Sequence, residues 1–193
     1  MDVFLRDKIM QMLSSRLDND RIEHGISVGK EATRLAERYG HDRQKAEMAG
    51  LLHDVCRCDH PKWMREYMRK HRCVLPVEWR KNPQLWHGPC ASILIRRELG
   101  IRDREILVSI RFHTTGRPGM SDFEKIIFLA DKIEPTRDYS GAREIRNAAQ
   151  RSLDEAVFLA LKGNITHLCQ RGLPLVKETV GAYNGLVTAK LGK

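Results

Sequence analysis

Apolar side chains recur at helical spacing along almost the whole chain. Leu5, Ile9, Met12 and Leu13 form one stripe between Val3 and about Leu17. Asp18-Asn19-Asp20 breaks that pattern and offers an N-cap. The next stripe, Ile22, Ile26, Ala32, Leu35 and Ala36, predicts a helix to Tyr39 with Gly40 as its C-terminal stop. Asp42 is placed to cap a third helix that ends on Leu51-Leu52-His53-Asp54. An irregular turn over 56–61 leads to a short basic helix over 62–71, and 74–83 reads as mixed, punctuated by Pro76 and Pro83. His87-Gly88-Pro89 opens a helix to Gly100, with Pro89 suited to its first turn. Residues 103–113 read as a further helix, and 114–119 as a compact turn.

Ser121-Asp122-Phe123-Glu124 matches a capping box. The helix it starts carries Ile126, Ile127, Phe128, Leu129 and Ala130, then an acid, Asp131, and Pro135 marks its end. A charged segment with Arg137, Asp138 and Arg143 precedes a long helix from Leu153 to Gln170, closed by Gly172. After Pro174, Lys177 to Leu191 forms the last helix. There is no strand pattern, no repeat and no linker. The expected class is all-α, a single helical bundle over residues 1–193.

A chain of 193 residues can bury a substantial core without disulfides or metals as staples. No apolar run approaches the roughly 18–20 residues of a membrane span. The opening Met1-Asp2-Val3-Phe4-Leu5-Arg6 lacks the pattern of a secretory signal. Five cysteines, an odd number, favour free thiols in a reducing compartment, so a cytoplasmic location is expected. The formal charge of +9 fits nucleic acid, an acidic membrane or a polyanionic small ligand. Its carriers, among them Arg65, Arg69, Lys70, Arg72, Arg96, Arg97, Arg102 and Arg104, are scattered, with no zinc-finger spacing or RNA-binding aromatic signature. Nucleic acid is therefore disfavoured as a partner.

The candidate chemistry sits on helix ends. His24, His53, Asp54 and Asp131 combine imidazole and carboxylate donors, a set that suits iron, manganese, cobalt or zinc. Adjacent residues on a regular helix point about 100° apart, so the His53-Asp54 pair converges best at a helix terminus. Asp131 follows five apolar residues, where a carboxylate is costly unless paired or metal-bound; Lys132 and Arg137 are the alternative partners. His113 adjoins Thr114-Thr115-Gly116, which offers hydroxyls and backbone N–H groups to a phosphate. Cys56, Cys58 and His60 lack a fourth ligand and read as free side chains.

In this order, His24, His53-Asp54 and Asp131 resemble the H…HD…D signature of the HD-domain metallohydrolases. The match extends to His87-Gly88-Pro89, to His113-Thr114-Thr115-Gly116-Arg117-Pro118-Gly119-Met120, to Leu129-Ala130-Asp131-Lys132-Ile133-Glu134-Pro135 and to Gly172-Leu173-Pro174. Over about residues 20–185 the chain resembles the YqeK-type HD family. That resemblance implies an HD core over about 19–135, with C-terminal helices over 141–193 completing a nucleotide site. It also implies symmetrical bis(5′-nucleosyl)-tetraphosphatase activity, in which diadenosine tetraphosphate is cleaved into two ADP with iron or a similar metal.

Carried over by position, His24, His53, Asp54 and Asp131 hold the metal. His53, Asp54, Asp131 and Arg137 serve catalysis. His24, Ser27, His87, His113, Thr114, Asp131 and Arg137 face the substrate, and Pro174, Leu175, Val176, Lys177, Glu178 and Thr179 help enclose the nucleotide. An alternative role for His87 and His113 is a second metal bridged through Asp54. A homodimer is compatible with this reading. Serine stands at 27 where the family often has an acid, and Val55-Cys56 replaces an aromatic and a small residue.

The chemistry expected of such a site is direct. A metal lowers the pKa of water and polarises a phosphoryl oxygen. Asp131 or Asp54 would orient that water, while Arg137 and Arg117 would neutralise charge developing on the phosphates. Two other readings are compatible with the residues: another HD-type nucleotide phosphohydrolase, or a nucleotide- or RNA-binding regulator with a structural metal. The chain lacks the Glu-Asp pair after His53-Asp54 and the Gly-Tyr-Pro motif that mark familiar alternative branches.

Overall fold

Ten α-helices and two short 3-10 turns account for the regular structure of a computed structural model that describes residues 3–191. The expected domain limits at Met1-Asp2 and Gly192-Lys193 lie outside the described residues. The helices are α1 (Val3–Arg16), α2 (Asn19–Arg38), α3 (Arg43–Leu52), α4 (Pro61–Lys70), α5 (His87–Glu98), α6 (Arg104–Phe112), α7 (Asp122–Ile133), α8 (Ala142–Ala148), α9 (Leu153–Gln170) and α10 (Lys177–Leu191). No strand occurs among the described residues.

Helix starts follow the capping residues read from the sequence. Asp18 accepts from the Arg21 N–H and Asp42 from those of Gln44 and Lys45; Asp103, expected inside α6, caps it instead by accepting from the Glu105 N–H. Ser121 and Glu124 make the full reciprocal capping box. Each such cap is worth on the order of 1 kcal/mol. Gly40 and Gly172 adopt positive φ values of 72° and 61°, which glycine tolerates without steric cost, and the helices stop there. His60 caps α4 through its ring Nδ1, a use that its position in a turn did not reveal.

Helix α7 runs through the centre. Phe123, Ile126, Ile127, Phe128, Leu129, Ala130 and Ile133 are all buried, so it is apolar on nearly every face. It packs against α2, α3, α6, α8 and α9, and Asp131 emerges from its last turn. Burying one side chain such as Phe128 contributes about 1.5–3 kcal/mol, so this helix is the anchor of the core. Two differences from the sequence pattern stand out. Residues 74–83 contain the 3-10 turn Glu78–Lys81, closely followed by Pro83–Leu85, and the charged segment after Pro135 contains α8. Both are too short to show a periodic stripe.

Candidate metal centre

Two close helix crossings assemble the site. At the first, α2 and α3 approach so tightly that a Cβ on Gly50 would stand 2.7 Å from the Gly29 Cα and 2.8 Å from its nitrogen. No side chain fits there. The approach sets His24 of α2 beside His53 at the C-terminus of α3, ring centroids 5.3 Å apart. At the second, a Cβ on Gly88 would meet the Arg111 carbonyl oxygen at 2.9 Å. That crossing of α5 and α6 brings His87, the first residue of α5, against His113, the residue after α6, with centroids 4.9 Å apart.

Asp54 and Asp131 sit among these four rings. Asp131 Oδ1 lies 3.2 Å from His24 Nε2 and 3.7 Å from His53 Nε2. Asp54 Oδ2 lies 3.7 Å from His53 Nε2, while its Oδ1 lies 3.2 Å from His87 Nε2 and 3.5 Å from His113 Nε2. Two sets of donor atoms are compact enough to hold a cation: His24, His53 and Asp131, and His53, Asp54 and His113. His53 belongs to both. Cys56, Cys58 and His60 belong to neither.

The backbone fixes two of the tautomers. His53 Nδ1 donates to the Gly50 carbonyl at 2.6 Å and His113 Nδ1 to that of Ile110 at 2.8 Å, while His87 Nδ1 lies 2.9 Å from the Gln84 carbonyl and 3.2 Å from Arg57 Nη1. A ring that donates from Nδ1 turns its Nε2 lone pair outward, the usual preparation of a metal-ligating histidine. His53 Nε2 is fully buried and has no hydrogen-bond partner, which costs free energy unless a cation takes the lone pair. His87 Nε2 and His113 Nε2 face each other at 3.1 Å, a second arrangement that positive charge relieves. The donor set therefore fits a divalent transition metal.

Electrostatics agree with that fit. Burial opposes the Asp54 charge, but His53 and then His113 outweigh it and hold the carboxyl far below the ordinary range. Burial likewise opposes ionisation of Asp131, yet Lys132, His24 and His53 keep it a carboxylate. Burial and the neighbouring His113 press His87 down to about 3, so its ring is neutral and able to ligate. For His53, burial resists protonation while Asp54 and Asp131 draw positive charge and raise the pKa; the same pull attracts a metal ion.

A cavity of about 1000 Å³ opens beside the ligands. Thr114, Asp131, Lys132 and Arg137 form the wall on the metal side, and Tyr139, Leu159 and Leu168 contribute to the rest. Its volume reaches the upper range of small-molecule sites.

The sequence-derived residues fall into three groups. His24, His53, Asp54, His87, His113, Thr114, Asp131 and Arg137 converge: Thr114 Oγ1 is 3.2 Å from His87 Nε2, and Arg137 Nη2 donates to Asp131 Oδ1 at 2.7 Å. Pro174, Val176 and Thr179 line the cavity, and Thr179 donates to the Thr115 carbonyl at 2.9 Å. Leu175, Lys177 and Glu178 are not in its wall; Glu178 instead accepts from the Trp79 indole at 2.8 Å. Ser27 is outside the wall as well. Its hydroxyl donates to Glu134 Oε2 at 2.8 Å. Arg117, expected to face phosphate, forms a two-point pair with the buried Glu124 at 2.6 Å on each side, which braces the 114–119 turn against α7.

Two neighbours of the site, Glu134 and Arg21, escaped the sequence reading, and a third, Lys132, was expected only as an ion partner of Asp131. Glu134 is fully buried and its Oε1 is 3.3 Å from His24 Nδ1, so it orients that ring. Burial disfavours its charge, but bonds from Thr136 and Ser27 lower its pKa and keep it ionised. Arg21 lies 3.6 Å from Asp54 Oδ2. Lys132 lines the cavity next to Asp131. Helical spacing carried the signal: Glu134 is one turn beyond Asp131, and Arg21 one turn before His24.

Among the described residues no helix is long and apolar enough to cross a membrane, and the five cysteines are free. The HD domain family matches residues 21–136. A symmetrical bis(5′-nucleosyl)-tetraphosphatase of Halalkalibacterium halodurans is 39% identical over 182 residues, covering 94% of this chain and 97% of that protein. One of Bacillus subtilis is 35% identical, with 95% and 98% covered. A crystal structure of a Clostridium acetobutylicum protein described as a predicted HD superfamily hydrolase involved in NAD metabolism superposes with a TM-score of 0.92, at 37% identity and 95% and 97% coverage. With the histidines and aspartates of that signature converging in the fold, the chain belongs to the HD-domain family and, within it, to the family of symmetrical bis(5′-nucleosyl)-tetraphosphatases.

Proposed function

We propose that this HD-domain phosphohydrolase cleaves diadenosine tetraphosphate and related dinucleoside polyphosphates at the central bridge, giving two nucleoside diphosphates. The observation that carries the reading is the buried, unpartnered His53 Nε2 within a histidine and aspartate cluster, at the edge of a cavity with room for a nucleotide. Near-full-length likeness to two tetraphosphatases supports the substrate class.

His24, His53, Asp54 and Asp131 would hold the divalent metal, with iron the preferred occupant and manganese, cobalt or zinc as substitutes. When bound, such an ion lowers the pKa of water and polarises a phosphoryl oxygen. The remaining work belongs to side chains. One nucleoside diphosphate half lies in the cavity, with Thr179, Val176 and Pro174 among the wall residues around it. Thr114 offers its hydroxyl to a phosphate oxygen, and His87 and His113 bound the same space. Arg137 keeps Asp131 in place through Nη2 and through Nε on the Asp131 carbonyl, leaving Nη1 for the substrate. Asp131 and Asp54, held as carboxylates, orient the attacking water. Five free thiols support a cytoplasmic setting for this chemistry.

The test is product analysis. Protein loaded with iron, manganese, cobalt or zinc in turn is incubated with diadenosine tetraphosphate, and nucleotides are resolved by chromatography. ADP as the sole product is expected. ATP with AMP in equal amounts would refute symmetrical cleavage, and no turnover with any of the metals would refute the enzyme reading.

A further inference from the structure

The two cations beside Asp131 are not equally engaged. Arg137 uses Nη2 on Asp131 Oδ1 at 2.7 Å and Nε on the Asp131 carbonyl at 2.8 Å. Lys132 Nζ has only longer contacts: 3.4 Å to the His113 carbonyl, 3.5 Å to Asp131 Oδ2 and 4.1 Å to the centre of the Phe128 ring. An ammonium carries three N–H donors. Two long polar contacts and one ring face leave it under-coordinated, although its side chain is only 17% exposed and lines the cavity. Holding a cation in that state out of water costs free energy that an anionic ligand would return. Its position is fixed from both sides, because α7 carries it directly after a metal-ligand aspartate while the 113–114 backbone lies within its reach.

We propose that Lys132 is a catalytic residue whose ammonium contacts the phosphate oxygens at the scissile centre and neutralises charge on the departing nucleoside diphosphate. The assignment rests on the tetraphosphatase reading. In the step it serves, the water oxygen bonds to phosphorus and the central bridging P–O bond breaks. The electron pair leaves on the second ADP, and the water protons pass to solvent. No proton passes to or from Lys132 in this step. Arg137 then works mainly through Asp131, and the larger direct effect on turnover falls on the lysine.

The test compares Lys132→Met, which keeps the length and apolar stem, with Lys132→Arg, which keeps the charge. Three quantities are measured on metal-loaded protein: metal stoichiometry, kcat for diadenosine tetraphosphate, and affinity for inorganic pyrophosphate by calorimetry. For Lys132→Met the expected result is wild-type metal content, a fall in kcat of about a hundredfold or more, and weaker pyrophosphate binding. Lys132→Arg should retain most of the pyrophosphate affinity. Unchanged kcat and anion affinity in Lys132→Met would overturn the proposal. So would loss of metal in step with activity, which would make the lysine a support for Asp131 only. Should Lys132→Met not fold, Lys132→Gln carries the same three measurements. If the wild-type protein yields no ADP but its pyrophosphate binding depends on Lys132, the substrate reading fails while the anion-binding role stands.

Discussion

The candidate metal centre and the cavity beside it are built on different rules. Around the ligands, geometry is set by backbone. Gly50 lies against Gly29, Gly88 lies against the α6 carbonyls, and two imidazoles are pinned by main-chain acceptors three residues earlier. Away from the metal side, much of the cavity wall is made of residues from α8, α9 and the segments around them. Ligand positions must hold within a fraction of an ångström to bind a metal, whereas a nucleotide-sized cavity tolerates reshaping. The difference teaches where substitutions should be fatal and where they should only tune.

The comparison breaks most completely at His53, which both candidate donor groups share. His53→Ala should abolish metal retention and lower turnover by at least about a thousandfold, a loss read by elemental analysis beside the product assay. Stoichiometric metal with intact turnover in that variant would remove the ligand assignment. Next comes the backbone itself. Gly50→Val places side-chain atoms where the Gly29 backbone stands, so α2 and α3 must part. Overpacking of this kind costs about 1–3 kcal/mol of stability, visible in thermal unfolding, and metal affinity should fall with it although no ligand is touched.

One shell further out, Glu134→Gln keeps the volume but removes the charge that faces His24 Nδ1. Loss of such a partner typically lowers metal affinity by about 10–100-fold, to be measured by competition with a chelator. An affinity equal to wild type would show that Thr136 and Ser27 alone define the role of Glu134. The smallest effect on the metal centre belongs to an α10 contact just outside the cavity wall. Glu178→Ala leaves the buried Trp79 indole N–H without its acceptor, at about 1–3 kcal/mol of stability, with metal content and kcat unchanged. A large drop in metal content there would erase the distinction between the two regions.

Legibility follows the same division. His24, His53, Asp54 and Asp131 were readable because residue type, order and placement on helix ends all point to one chemistry. Helices α2, α3, α7 and α9 were readable because their apolar stripes and caps agree. Helix α8 was not, since seven residues are too few to display a period. Glu134 and Lys132 were in plain view in the Asp131 motif, yet their roles depend on which neighbours the tertiary fold supplies: the His24 ring in one case and the lack of a close acceptor in the other. Arg117 shows the reverse. A basic residue in a phosphate-like turn suggested ligand contact, but a buried Glu124 claims its guanidinium.

With one half of the substrate seated in it, the cavity beside the metal centre would give the reaction a direction that its chemistry lacks. Diadenosine tetraphosphate is the same read from either end, but the protein around it is not. One product would be released from that cavity and its chemical twin from the other side of the cut bond. Two identical molecules would therefore depart at different rates. Added ADP, competing for the cavity, would slow the cycle through one of them only.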